Sequence, residues 1–207
     1  MCYRTAWLVK HKLLEAMKLA EADHQLIGRV EDDAAYLCGQ RSGGKTGRGS
    51  DNKVPLVAAL QTIEGGQPHL ACLSQRPFTK ESLEAFFARS TVLQLTVVSD
   101  GLGCFTVASS LGASHDRTVT GGGGGGASVE WGQFRSVNAF ISNIKTALSG
   151  PYRAVRFAKY AFRYLAEARF RFNRRSDLRA ILGSRVRAMV RTPPWPERVN
   201  RVAELHR

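Results

Sequence analysis

The sequence lacks several features that would assign it quickly to a common class of protein. Its four cysteines are far apart and include no Cys-x-x-Cys pair, so neither a zinc ribbon nor a redox pair is indicated. No apolar run approaches the roughly 18 residues that a membrane-spanning helix needs, and nothing resembles a signal peptide. We therefore expect reduced cysteines, no membrane association and a cytoplasmic protein.

Acidic residues are scarce compared with basic ones. The 207 residues include 30 Lys plus Arg and 17 Asp plus Glu, which gives a net charge of +13. Residues 151–207 hold 15 of the basic and 4 of the acidic residues, so this segment carries +11. Basic side chains gain affinity for a polyanion by releasing its condensed counterions, which favours nucleic acid as the partner. A basic protein that is merely soluble is the alternative that charge alone leaves open.

The apolar pattern predicts a mixed α/β core followed by a helical extension. Strands are predicted over 26–37, 54–62, 69–73, 92–99 and 115–120. Helices are predicted over 5–22, 79–89, 137–148, 154–173 and 178–191, and a short one begins within 102–111. The segment 39–52 is interpreted as a glycine-rich basic loop and the six glycines of 121–126 as a linker.

The loop segment GQRSGGKT, residues 39–46, matches the phosphate-binding pattern G-x-x-x-x-G-K-T. That motif needs its lysine and threonine to open a helix, but GRGSDNK follows, which is a poor helix former. A flexible basic loop is therefore favoured over an ATP-binding site. Its Arg41, Lys45 and Arg48 are predicted to contact a nucleic-acid backbone.

Acidic residues stand at two places where a solvated charge is unexpected. Asp32 and Asp33 interrupt a strand pattern, and Asp100 ends the most apolar strand, directly before the turn signal Gly101. If the two strands are neighbours, the carboxylates could share a hard divalent cation such as Mg²⁺. The alternatives are a turn or cap role for Asp100 and a solvated strand edge for Asp32.

The predicted helix 137–148 adds an amide and a cation. Asn138 and Lys145 are seven residues apart, so both project from one face about 10 Å apart along the axis. An asparagine oxygen can bind Mg²⁺ or Mn²⁺, and a lysine can hold a phosphate. With two aspartates they indicate a phosphodiester-cleaving site. A polar cap for Asn138 and a solvated Lys145 are the alternatives.

Five segments carry a more specific signal: VEDDAAYLCGQRSGGKTGRGSDNK, VVSDGLGCF, VTGGG, SVNAFISNIKTALSGPY and, above all, RYLAEARFRFNRR. Together they resemble the transposases of the IS1595 insertion-sequence family, in particular their ISXO2-like catalytic domain. The resemblance covers almost the whole chain. It implies an RNase H-like fold, with a mixed five-stranded sheet flanked by helices and an α-helical C-terminal extension.

The resemblance also implies a site that binds two divalent metal ions, Mg²⁺ or Mn²⁺. The pattern V-E-x-D-[DE]-x-Y-x-G-G assigns the first aspartate to Asp33, and SDGL assigns the second to Asp100. The spacing back from the GPY after the helix assigns the third ligand to Asn138 and the lysine to Lys145, with Asn143 as a competitor for the amide role. The implied activity is metal-dependent DNA cleavage and strand transfer at insertion-sequence ends.

The implied partner is DNA, both the insertion-sequence ends and the target, bound by a homo-oligomer at the bacterial nucleoid. Arginines of the last helices are expected to follow the DNA backbone: Arg169, Arg171, Arg174 and Arg175.

The sequence also departs from the family. Members typically begin with a zinc ribbon and a helix-turn-helix, whereas this chain starts in what resembles the end of that region. Ala34 stands where the family usually carries an acid, and Cys38 replaces a glycine. We therefore expect an N-terminally truncated copy with three segments: a remnant of the upstream DNA-binding region over 1–24, the RNase H-like catalytic core over 25–150, and the basic extension over 151–207. The alternative function is an inactive remnant that only binds DNA through its C-terminal helices.

Overall fold

A mixed sheet organises the protein. The computed structural model describes residues 1–38, 53–92, 95–118, 132–149 and 157–202. The strands are β1 (Arg29–Cys38), β2 (Lys53–Thr62), β3 (Pro68–Gln75), β4 (Thr96–Ser99) and β5 (Ser114–Arg117). Their order is β3-β2-β1-β4-β5. β1 and β3 are both antiparallel to β2, whereas β4 is parallel to β1 and β5 is parallel to β4. This arrangement confirms the predicted RNase H-like fold.

The helices lie on both faces of this sheet. They are α1 (Tyr3–Ala20), α2 (Lys80–Ser90), α3 (Val107–Ser110), α4 (Arg135–Ser149), α5 (Phe157–Phe172), α6 (Leu178–Arg191) and α7 (Glu197–Val202). The predicted cap of α2 is present, since the Thr79 side chain accepts a hydrogen bond from the Ser82 amide at 3.3 Å. The sequence did not predict α7, because it is a single short stretch directly after the helix-breaking TPPWP.

Alternating side chains of the strands divide the core into two layers. One face of the sheet packs against α2, α3 and the short turn Gly103–Thr106 directly before α3. The side chains buried on this face include Val30, Val57, Ala59, Val97, Phe105, Phe86 and Phe87. The other face packs against α4 and α5, and it buries Ala35, Leu56, Leu60, Val98, Val137, Ile141 and Leu165. Leu14 of α1 belongs to this second layer. The fold therefore places β1 at the centre of the molecule, covered on both faces.

A buried polar network joins the first helix to the last ones. Arg163 of α5 and Glu15 of α1 are 2% and 1% exposed, and the Arg163 Nε donates to Glu15 Oε2 at 2.9 Å. The Arg163 Nη1 donates to the carbonyl of Asn200 at 3.0 Å and faces His11 Nδ1 at 3.2 Å. α1 thus packs on α5 through buried residues whose opposite charges compensate each other. The predicted segment boundaries at 24 and 150 remain predictions.

Two further expectations from the sequence concern the cysteines and membrane association. Cys2, Cys72 and Cys104 are free cysteines, the last two buried. Within the described ranges, no helix combines the length and the apolar character that crossing a membrane requires.

Acidification should destabilise the protein through His11. Burial, followed by the charges of Arg163 and Lys10, lowers the pKa of His11 from 6.5 to about 4. Between these values the unfolded chain takes up a proton that the folded chain does not, so the free energy of unfolding falls as the pH falls. We expect a loss of about 2–3 kcal/mol from this residue between about pH 7 and about pH 4.5, measured by urea unfolding.

The matched control is His11→Gln, because glutamine keeps a neutral acceptor toward Arg163 and cannot titrate. Its free energy of unfolding should depend less on pH than that of the wild type over this range. The same pH dependence in both proteins would contradict the assignment.

Candidate active site

The parallel pairing of β1 with β4 brings two aspartates side by side. Asp32 is in register with Ser99, so Asp33 and Asp100 are the next residues along the two neighbouring strands. Burial, and then the negative charge of Asp100, raise the pKa of Asp33 from 3.8 to about 6. The Ala34 amide, 2.7 Å from Asp33 Oδ1, and the charge of Lys145 act in the opposite direction. The charges of Asp100 and Lys145 therefore both influence the ionisation of Asp33.

Asp100 also shapes the turn that follows β4. Its Oδ1 accepts a hydrogen bond from the Leu102 amide at 3.1 Å. Gly101 has a φ of 84°, which disfavours any residue with a side chain. Arg117 of β5 braces the turn, since its Nη2 donates to the Gly101 carbonyl at 2.7 Å. The turn role that the sequence left open for Asp100 is thus present beside the pairing with Asp33.

Asp32 lies on the opposite face of β1 and is fully buried. The alternative of a solvated strand edge for Asp32 does not hold, because β1 has β2 on one side and β4 on the other. Neither carboxyl oxygen has a hydrogen-bond partner among the residues that the structure describes. Burial, and then the charge of Asp33, raises the pKa of Asp32 well above its ordinary value. Asp32 projects from the face of β1 opposite to that of Asp33.

Helix α4 presents its polar side chains on two different flanks. Its buried face consists of Val137, Phe140, Ile141, Ile144 and Leu148. At about 100° per residue, Asn138 and Lys145 lie within about 20° of each other on one flank, and Asn143 is about 140° from Asn138. Asn143 lines a cavity of about 230 Å³ between α4 and α5. The two asparagines that compete for the amide role thus project in different directions.

Glu31 is the residue of this region that the sequence interpretation did not single out. It is 2% exposed, and its Oε2 accepts a hydrogen bond from the Val137 amide in the first turn of α4 at 3.1 Å. Its Oε1 accepts from Arg29 Nη1 at 2.7 Å. The signal was available, because Glu31 precedes Asp33 by two residues and therefore shares its face of the strand.

The arginines predicted to contact DNA within residues 169–175 are largely engaged in contacts with other groups of the protein. Arg169 and Arg174 both pair with the buried Glu21. Arg175 donates to the carbonyls of Pro68 and His69 on the edge strand β3. The side chain of Arg171 is 64% exposed, with Glu167 at 3.9 Å.

The segment RYLAEARFRFNRR, residues 163–175, also covers the edge of the sheet at β3. The amide and carbonyl of Ala71 on β3 both bond the side chain of Asn173, at 2.8 and 3.1 Å. Such pairing protects an edge strand from association with another chain. The loop residues Arg41, Lys45 and Arg48 lie outside the described residues. The DNA contacts of all seven basic residues remain predictions.

In the part of the chain that the structure describes, no cluster of three or more His, Cys, Asp or Glu side chains could hold a metal ion.

The chain is similar to known proteins at two levels. The family model of the ISXO2-like transposase domain matches residues 25–173. No curated protein matches the sequence significantly. One similar solved structure is a chain in the cryo-electron microscopy structure of the simian T-cell lymphotropic virus intasome in complex with PP2A regulatory subunit B56 gamma, with 15% identity and a TM-score of 0.43.

That alignment covers 84% of this chain and 58% of the other, and similarity at this level supports no conclusion about function. The family match is different, because it spans most of the chain and includes β1, the Asp100 turn and α4. The protein belongs to the family of ISXO2-like transposase domains.

Proposed function

We propose that this chain is a DNA transposase that cleaves phosphodiester bonds at insertion-sequence ends and transfers the freed strand with the help of divalent cations. The observation that carries the proposal is the meeting of Asp33 and Asp100 at neighbouring strands of a transposase-family domain, within the electrostatic reach of Lys145. Two carboxylates and an ammonium group are a suitable set for phosphoryl transfer.

The donor atoms fit Mg²⁺ or Mn²⁺. Asp33 and Asp100 offer carboxylate oxygens, and Asn138 offers an amide oxygen, which together form the all-oxygen set that hard cations prefer. The charge of Asp100 raises the pKa of Asp33, and a bound cation would remove this repulsion. The chemistry that such ions would supply there is activation of the attacking oxygen and neutralisation of the leaving one.

The orientation of α4 supports Asn138 as the third ligand. Asn138 shares a flank with Lys145, whose charge acts on Asp33. Asn143 instead lines the cavity beside α5, together with Glu167 and Arg171. An amide at Asn143 would therefore face away from the two aspartates.

Lys145 has two roles in this proposal. Its positive charge favours the ionised form of Asp33, which is the form that binds a cation. Its side chain is exposed, so the ammonium group can also contact a phosphate of the DNA. In this proposal the carboxylates of Asp33 and Asp100 bind the cations, and Lys145 orients the phosphate of the DNA toward them.

The partners of this reaction are DNA ends and target DNA, held by a homo-oligomer in the bacterial cytoplasm. The basic segment 151–207 supplies sequence-independent attraction to the phosphates. The alternative is an inactive remnant that retains this attraction and has lost the chemistry.

Replacing Asp100 by Ala should abolish Mn²⁺-dependent nicking of supercoiled plasmid DNA, because one of two carboxylate ligands is lost. Asn138→Ala should slow nicking by about 10- to 100-fold, in the range that loss of a metal-site partner costs. The matched control is Asn143→Ala on the same helix, which should nick at the wild-type rate. Equal rates for Asp100→Ala and wild type would refute the proposed site, and a wild type that binds DNA without nicking it would favour the remnant.

The pKa of Asp33 should respond to its two charged neighbours in opposite directions. Asp100→Asn removes a negative charge and should lower the pKa from about 6, whereas Lys145→Met removes a positive charge and should raise it. Saturation with Mg²⁺ should also lower it, because the cation competes with the proton. These shifts are measured by ¹³C NMR titration of the Asp33 carboxyl group. If neither substitution nor Mg²⁺ alters the pKa of Asp33, then Asp33 does not interact with Asp100, Lys145 and the cation as proposed.

Two arginines of one motif should behave differently when replaced by alanine. Arg171→Ala should weaken DNA binding without altering the melting temperature. The slope of the logarithm of the binding constant against the logarithm of the salt concentration should fall in magnitude by about one, as the loss of one phosphate contact does. Arg174→Ala should lower the free energy of unfolding by about 2 kcal/mol, because the buried Glu21 loses one charged hydrogen-bond partner and keeps Arg169.

Fluorescence anisotropy with labelled DNA at several salt concentrations and urea unfolding test both variants. An unchanged DNA affinity for Arg171→Ala would remove this residue from the DNA surface.

A further inference from the structure

We propose that Glu31 is a positioning residue of the metal site: by holding the first turn of α4 against the central strand, it sets where Asn138 stands relative to Asp33. The inference rests on the proposed function of that site. Glu31 itself has no direct contact with the reaction in this proposal.

The hydrogen bond from the Val137 amide to Glu31 joins residues that are 106 positions apart. Helix α4 begins at Arg135, so Val137 is its third residue, and its amide is one of those that lack an acceptor within the helix. α4 has no acidic residue of its own in the first turn. Glu31 therefore acts as a cap supplied by the sheet, and its negative charge also suits the positive end of the helix dipole.

The carboxylate is itself held in place. Arg29 Nη1 donates to Glu31 Oε1 at 2.7 Å and to Thr62 Oγ1 of the neighbouring strand at 2.9 Å. A buried carboxylate that bonds a guanidinium and a backbone amide has a compensated charge and little freedom to move. The acceptor that faces α4 is therefore rigid.

A second bond ties the same turn of α4 to the sheet. Ser136 Oγ donates to the carbonyl of Gly66, in the turn between β2 and β3, at 3.1 Å. The first turn of α4 is thus attached at two points, and Asn138 is the next residue after them. Removing Glu31 deletes the attachment that comes from the strand of Asp33.

The consequence for the site follows from the distances along the chain. Asp33 is two residues beyond Glu31 on the same face of β1, and Asn138 is one residue beyond Val137. This hydrogen bond therefore ties the strand that carries one proposed ligand directly to the first turn of the helix that carries the other. Partners that orient metal ligands in this way typically contribute 10- to 100-fold to metal affinity or activity.

The experiment compares Glu31→Ala, Glu31→Gln and a control, Glu15→Gln. Glutamine at position 31 keeps an oxygen that can accept from the Val137 amide, whereas alanine removes it. Glu15→Gln also neutralises a buried glutamate that is paired with an arginine, but its partners are Lys18 and Arg163, away from α4. Mn²⁺ affinity is measured by calorimetry, nicking by steady-state kinetics, and the first turn of α4 by amide hydrogen exchange without metal.

We expect Glu31→Ala to weaken Mn²⁺ binding and lower kcat by about 10- to 100-fold, with an unchanged KM for DNA. The amides of residues 135–138 should exchange faster in the metal-free variant. Glu31→Gln should recover most of the affinity, and Glu15→Gln should change neither Mn²⁺ binding nor exchange in α4, even if it lowers the melting temperature.

Three outcomes separate this inference from the function on which it rests. If Glu31→Ala and Glu31→Gln only lower the melting temperature, with wild-type Mn²⁺ affinity and exchange, the positioning role is refuted while the site stands. If Asp33→Asn abolishes Mn²⁺ binding and Glu31→Ala leaves it intact, the result is the same. A wild type that binds no Mn²⁺ overturns the proposed function, and the inference with it.

Discussion

The parallel pairing of β1 with β4 is the contact on which the candidate site depends. Its register places Asp32 beside Ser99, so that the chain continues into Asp33 on one strand and Asp100 on the other. Two carboxylates this close repel each other, and burial of Asp33 adds to the cost. Lys145 and the Ala34 amide offset part of it. A binding site for a cation at this place would turn an unfavourable arrangement of charges into a functional one.

Helix α4 is the second element of the site, and its position depends on both of its sides. The apolar residues of one face bury against the sheet, which fixes the rotation of the helix about its axis. This rotation places Asn138 and Asn143 on different flanks of the helix. Translation along the axis is limited by the first turn, where Glu31 and Gly66 accept hydrogen bonds from Val137 and Ser136. Packing and capping therefore act on different degrees of freedom of the same helix.

The basic C-terminal segment serves the fold as well as any partner. Much of the motif RYLAEARFRFNRR pairs with groups of the protein itself: Arg163 with Glu15, Arg174 with Glu21, and Asn173 with the edge strand at Ala71. A high density of arginine in a sequence is thus compatible with an internal role, because a planar guanidinium can satisfy buried carboxylates and backbone carbonyls together. Several arginines of this motif are therefore less available for direct contacts with DNA than their number in the sequence suggests.

The sequence by itself determined the positions of most helices and strands, because apolar periodicity is a local property. It also determined that Asn138 and Lys145 share a flank, since helical geometry alone decides this, and the family motifs identified the fold. The tertiary structure decided which of Asp32 and Asp33 faces Asp100, because only the neighbouring strands show that β1 is central and covered on both faces. It likewise decided the cap that Glu31 provides across 106 residues and the pairing of Glu15 with Arg163 across 148. Such contacts leave no periodic trace in the sequence, because each depends on how distant segments pack together.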